Sequence, residues 1–164
     1  MHTCLWDSGS THNFILDSLA SKLGYVGSPA VLHLSRVGLQ ASRIKLKRYT
    51  ITLVNNSGKT YDVEAYGMPH IGHRDAVPPN ILKCFAKMFK TSIYMINNRS
   101  GEIGLLMGVP HLGLHPTPLK TIGSLRLLSS KFGLPYMVIG ALNPKSAQAS
   151  CNFIDASIRD YITN

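Results

Sequence analysis

Acidic residues are scarce in this chain of 164 residues: eight Asp and Glu stand against 17 Lys and Arg, a formal charge of +9. Charged residues of both signs make up only 15%, whereas hydrophobic residues make up 45%. A generally disordered chain needs the opposite balance, so disorder throughout is excluded and one domain with a sizeable core is affordable. Cysteine is also sparse. Cys4, Cys84 and Cys151 are far apart and form no C-x-x-C pair, which excludes a disulfide framework and fits a reducing compartment. No apolar run approaches ~18 residues, so no membrane-spanning helix is expected. No basic-then-apolar leader follows Met1, so no signal peptide is expected. Repeats and low-complexity tracts are absent.

The basic excess raises the question of a nucleic-acid or acidic partner. The basic residues are spread along the chain, and the densest group is Arg43, Lys45, Lys47 and Arg48. Only Tyr49 stands near them as a stacking aromatic. A solvated strand face is the simpler reading, with nucleic acid the weakly supported one.

What the chain does have is Leu5-Trp6-Asp7-Ser8-Gly9-Ser10-Thr11. A short apolar run, 2–6, delivers a carboxylate into a turn of small residues. Gly permits the bend, and backbone N–H groups and hydroxyls can then face the acid. From His12 the spacing of Ile15, Leu19 and Leu23 predicts a helix of about three turns, capped by Ser10 or Thr11 and ended by Gly24. An extended stretch over 31–37 is broken at Gly38. A long strand over 43–54 changes its apolar phase, from Ile44 and Leu46 to Tyr49, Ile51 and Leu53, which predicts a bulge near Lys47-Arg48. Asn55-Asn56-Ser57-Gly58 is a turn, and 60–68 alternates cleanly through Tyr61, Val63 and Ala65.

After a loop over 69–79, Ile81, Leu82, Phe85, Met88 and Phe89 have helical spacing. A strand over 92–96 and a turn over 97–101 follow. The run Ile103-Gly104-Leu105-Leu106-Met107-Gly108 reads as a strand buried on both faces, with a helix or turn from Val109-Pro110. Further strands are expected over 125–128 and 132–142. Asn143-Pro144 marks a boundary before a polar tail with a weak helical pattern.

Four chemistries fit parts of this pattern. His70-x-x-His73 and His111-x-x-x-His115 could ligate a metal, but neither pair sits on a predicted helix. A serine hydrolase would need the absent G-x-S-x-G elbow. A phosphate loop lacks Gly-Lys-Ser/Thr, and Asp7 would repel the anion. An aspartic peptidase needs two carboxylates sharing one proton. This chain offers one such turn, so a homodimer would have to supply the second Asp7 across a two-fold axis.

Asp7-Ser8-Gly9-Ser10-Thr11-His12-Asn13-Phe14-Ile15, followed by Leu19-Ala20-Ser21-Lys22-Leu23-Gly24, resembles the active-site turn and helix of retropepsin-like aspartic proteases of LTR retrotransposons. The order continues with a Gly-tipped hairpin, two long strands and Leu105-Leu106-Met107-Gly108, which is similar to the apolar-apolar-x-Gly motif beside that turn. The BEL/Pao type is the most similar, with an inserted segment at about 72–96 and a strand from Lys131-Phe132-Gly133 to Ile139-Gly140.

The resemblance implies a mainly β fold with a few short helices, a closed, barrel-like acid-protease domain over 1–142 and a separate tail over 143–164. Asp7 would be the catalytic acid/base. Ser8 and Gly9 would shape the turn, and Ser10 would bond near the carboxylate. Val37, Gly38, Leu39 and Gln40 would form a flap. The implied partners are a second copy of the chain and an extended peptide or polyprotein, with no cofactor, metal or membrane. The implied setting is cytoplasmic, within retroelement particles. Only six residues precede Asp7, where the family carries a further strand, so a truncated N-terminus is expected. Trp6 also replaces the usual smaller aliphatic residue. A catalytically inactive, transposon-derived binding or oligomerisation domain is the alternative.

Overall fold

The alternation along 60–68 sets one face of a sheet. In the computed structural model, which describes residues 2–36 and 39–140, Val63 and Ala65 are buried on that face with Tyr49 and Ile51 of the neighbouring strand. The chain runs β1 (Thr3–Trp6), β2 (Phe14–Leu16), α1 (Asp17–Lys22), β3 (Ser28–Arg36), β4 (Leu39–Val54), β5 (Thr60–Met68), β6 (His73–Arg74), α2 (Pro79–Phe89), β7 (Gly101–Met107), β8 (Thr117–Ile122), β9 (Leu125–Ser129) and β10 (Tyr136–Ile139). Short 3-10 turns cover Ile93–Met95 and Val109–Leu114. The protein is mainly β.

The larger sheet has the order β1-β7-β2-β5-β4-β3, with β6 paired to β7. The expected closed barrel is not formed. Closure would require the two end strands to pair, yet β1 is bonded to β7 alone and β3 to β4 alone among the described residues. A second, three-stranded sheet has the order β10-β9-β8. It buries Leu125, Leu127 and Val138 against Phe85, Ala86 and Phe89 of α2. The segment over 72–96 thus shares a small core with the C-terminal strands.

Three local expectations are corrected. Residues 14–16 are strand and not the first turn of a helix. Phe14 and Ile15 pair with Leu106 and Leu105 on one side and with Tyr66 and Gly67 on the other. Two ladders of backbone hydrogen bonds outweigh the helical spacing of the side chains, and α1 shrinks to six residues. Its end is as read: Gly24 has φ +79°, and the Tyr25 N–H reaches back to the Ala20 carbonyl at 3.0 Å, a common helix stop.

Secondly, no bulge interrupts β4 at Lys47-Arg48. Register runs unbroken through Arg48, which faces Ser28 of β3 and Tyr66 of β5. The irregularity lies nearer the hairpin tip, between Leu34 and Arg36, which pair with Ser42 and Leu39. The change of apolar phase is a change of which face is covered. Beyond Arg48 toward the hairpin tip, Leu32, Ile44 and Leu46 lie on the face opposite to Tyr49 and Ile51. Thirdly, the expected strand over 92–96 contains a 3-10 turn instead, in which the Ser92 hydroxyl accepts the Tyr94 N–H. Of the strand expected over 132–142, Tyr136–Ile139 is strand, while 141–142, like the tail expected over 143–164, lie outside the described residues; β8 forms despite Pro118.

The main core gathers Ile15, Ala20, Tyr49, Ile51, Val63, Ala65, Met107 and Leu114, with Trp6 and Phe132 packed against it. The Tyr49 hydroxyl donates to Asp17 Oδ1 at 3.0 Å, tying β4 to the start of α1. No helix among the described residues is long and apolar enough to cross a membrane.

Candidate active site

Strand β7 lies between β1 and β2, parallel to the first and antiparallel to the second. The segment over 7–13 therefore crosses the end of β7 to connect the two strands that flank it. This arrangement brings the two stretches singled out in the sequence together. Trp6 pairs with Met107, and Leu5 with Leu106. The Asp7 N–H donates to the Met107 carbonyl at 2.9 Å, and the Val109 N–H donates to the Ser10 carbonyl at 2.9 Å. Gly108 fits between: a Cβ there would lie 2.5 Å from the carbonyl oxygens of Ser10 and His12. The glycine is required by close approach, since its φ is −94°.

Asp7 is 8% exposed. Its Oδ1 accepts the Gly9 N–H at 2.8 Å, and its backbone carbonyl accepts the Ser10 N–H at 3.2 Å. The carboxylate is thus fixed by its own turn. Ser8 and Gly9 are exposed. The Ser10 hydroxyl does not point at the acid. It donates to the His12 carbonyl at 2.7 Å and stiffens the far side of the turn. Leu105 and Leu106 are half-buried and Met107 is fully buried, so the apolar strand is not covered evenly on both faces.

Asn13 is not singled out as functional by the sequence pattern, and His111 and His115 are weighed there only as metal ligands. Asn13 is 2% exposed. Its Oδ1 accepts the Gly108 N–H at 2.8 Å, and its Nδ2 donates to the Glu64 carbonyl at 2.8 Å. Its Nδ2 also stands 3.2 Å from His111 Nδ1. Since Nδ2 can only donate, that ring nitrogen carries no proton when the bond forms. His115, also buried, places Nε2 2.9 Å from the Gly108 carbonyl, so the proton resides on Nε2. The Trp6 ring meets the His115 ring edge-on, centroids 5.2 Å apart, and tilts against Phe132 at 5.7 Å. Trp6 is therefore accommodated by an aromatic pocket. The burial of Asn13, which marks it as part of this network, is a property of the fold and has no signal in the sequence.

The two histidine pairs are not gathered into one cluster. His73 faces Asp75 at 3.6 Å, while His111 and His115 brace Gly108. No group of three potential ligands stands together among the described residues. Of the expected flap, Val37 and Gly38 lie outside the described residues. Leu39 opens β4 and pairs with Arg36, and Gln40 follows it in the strand.

No protein-family model matches this chain, and no curated protein or solved structure does so either.

Proposed function

We propose that this chain is one half of a retropepsin-like aspartic endopeptidase, completed by a second copy and acting on an extended peptide. One observation carries the reading. Asp7 is held by the Gly9 N–H in a turn anchored to Met107 and Gly108, so a single carboxylate is presented rigidly at the end of two strands. Two such turns meeting across a two-fold axis would set two carboxyl groups side by side. Like charges that close cannot both ionise, so the pair would hold one proton. The ionised Asp7 would take a proton from water as that water attacks the scissile carbonyl. The protonated Asp7 would donate to the carbonyl oxygen. The tetrahedral intermediate would then collapse as the leaving amine takes up a proton, with no covalent enzyme intermediate.

The β3–β4 hairpin supports the same reading. One of its faces carries Ala30, Leu32, Leu34, Ile44 and Leu46, with Leu32 only 6% exposed. That apolar face would form pockets for substrate side chains, while the strand edges would pair with the peptide backbone. The membership in the BEL/Pao type belongs to this proposal, as does processing of a retroelement polyprotein.

The test is Asp7→Asn in the full chain, assayed on a peptide library. The expected outcome is loss of at least 1,000-fold in cleavage rate with an unchanged circular dichroism spectrum. Wild-type activity should follow a bell-shaped pH profile set by the carboxyl pair. Cleavage that survives Asp7→Asn would overturn the assignment, and a stable monomer without activity would favour the binding domain.

A further inference from the structure

The β3–β4 hairpin separates its side chains by chemistry. From Ser28 to Val54 the sequence holds five Lys or Arg and no Asp or Glu. Arg43, Lys45 and Lys47 alternate with the half-buried Ile44 and Leu46, so all three project from one face and all three are exposed. Their cross-strand neighbours on that face are His33, Val31 and Pro29, none of them acidic. Among the described residues none of the three makes an ion pair.

The nearest strand acids are Asp62 and Glu64 of β5. Asp62 pairs with Thr52 and Glu64 with Thr50, which puts them on the even-numbered side of β4 with Arg48, whose guanidinium stands 3.7 Å from Glu64. The odd-numbered row therefore meets no neutralising charge across the sheet. Over 43–47 β4 has β3 on one side only, since β5 pairs with it from Arg48 onward, so the three cations stand beside a strand edge that is open to a ligand.

We propose that Arg43, Lys45 and Lys47 form a binding row for the phosphate backbone of a single-stranded nucleic acid. Alternate residues of a strand are about 6.8 Å apart, the scale on which successive phosphates follow one another along one strand. A straight row on a two-stranded hairpin suits one polynucleotide chain better than the paired backbones of a duplex. The face presents no Phe, Tyr or Trp for base stacking, so recognition would be of backbone charge and independent of sequence. This site is separate from the catalytic reading and does not depend on it.

The experiment is fluorescence anisotropy of a labelled 20-nucleotide oligo(dT) with the full chain over a range of NaCl concentrations. Three phosphate contacts to a single strand give a log–log salt slope of about −2. The variant Arg43→Gln/Lys45→Gln/Lys47→Gln should bind at least 10-fold more weakly at low salt and lose about 2 from the slope. The control Lys83→Gln/Lys87→Gln/Lys90→Gln removes the same charge from the exposed side of α2 and should bind within twofold of wild type. All six side chains are exposed, so both variants keep the core. Equal weakening of both variants would show attraction to net charge alone and overturn the site. An unaffected hairpin variant would overturn it as well, as would preferential binding to phosphatidylserine vesicles over the oligonucleotide.

Discussion

Asn13 Oδ1 accepts the Gly108 N–H at 2.8 Å across 95 residues of sequence. This bond joins the far end of the Asp7 turn to the end of β7. Around it, the Asn13 carbonyl accepts the Tyr66 N–H at 2.9 Å, and its Nδ2 serves Glu64 and His111. One buried residue thus links β2, β5 and β7 beside the candidate acid.

Asn13→Ala removes all the side-chain bonds and leaves the Gly108 N–H and the Glu64 carbonyl without their partner. A buried polar group stripped of its partner costs about 1–3 kcal/mol, so a loss of about 3 kcal/mol in unfolding free energy is expected. Urea denaturation should show a lower midpoint with an unchanged slope. A change below about 0.5 kcal/mol, the level of an ordinary surface substitution, would show that the network is not structural.

Gly108 and Gly113 provide a matched pair. Gly108→Ala drives a methyl into the Ser10 and His12 carbonyls, both backbone and unable to swing away. Displacement of the Asp7 turn should reduce peptide cleavage by at least 100-fold and stability by about 2–3 kcal/mol, within the range for overpacking. A Cβ at Gly113, five residues on, meets nothing within 4 Å. Gly113→Ala should leave both quantities near wild type in the same assays.

Cys4 lines a cavity of about 210 Å3 with Ile15, Leu19, Leu23, Tyr25, Ile51 and Leu105. Burial pushes its thiol up to about 12, from 9.0. Burial likewise raises the Tyr49 hydroxyl, helped by its hydrogen bond to Asp17. Both groups hold their protons more tightly in the folded chain. The Cys4 contribution to stability is therefore intact below about pH 9 and is lost as pH rises toward 12, and the Tyr49 contribution is intact below about pH 10 and is lost above it. Chemical denaturation between pH 8 and 11 should show stability falling by up to about 1.4 kcal/mol per pH unit for each such group. In Cys84→Ser/Cys151→Ser protein, the remaining Cys4 should resist iodoacetamide at pH 8 until urea unfolds the chain. Exposed Cys84, kept as the only thiol in the converse variant, should react at once.

The sequence alone determined the elements whose side chains repeat with a clear period. The two-residue alternation of Tyr61, Val63 and Ala65 specified β5 and its inward face, because a pleated strand leaves no other way to bury those residues together. Ile81, Leu82, Phe85, Met88 and Phe89 specified α2 for the corresponding helical reason. The Asp7-Ser8-Gly9 turn and the glycine at 108 were legible as local chemistry. Only the tertiary structure decided the rest. Phe14 and Ile15 became strand because β5 and β7 arrive on both sides, a fact no local window contains. The phase change in β4 proved to be a change of covered face, since burial depends on what lies opposite a strand. Asn13, His111 and His115 acquired their roles at Gly108 through contacts across the fold, and no spacing between them along the chain encodes those contacts. The open order of the sheet, with β1 and β3 at its two ends, is likewise a property of pairing and not of any strand by itself.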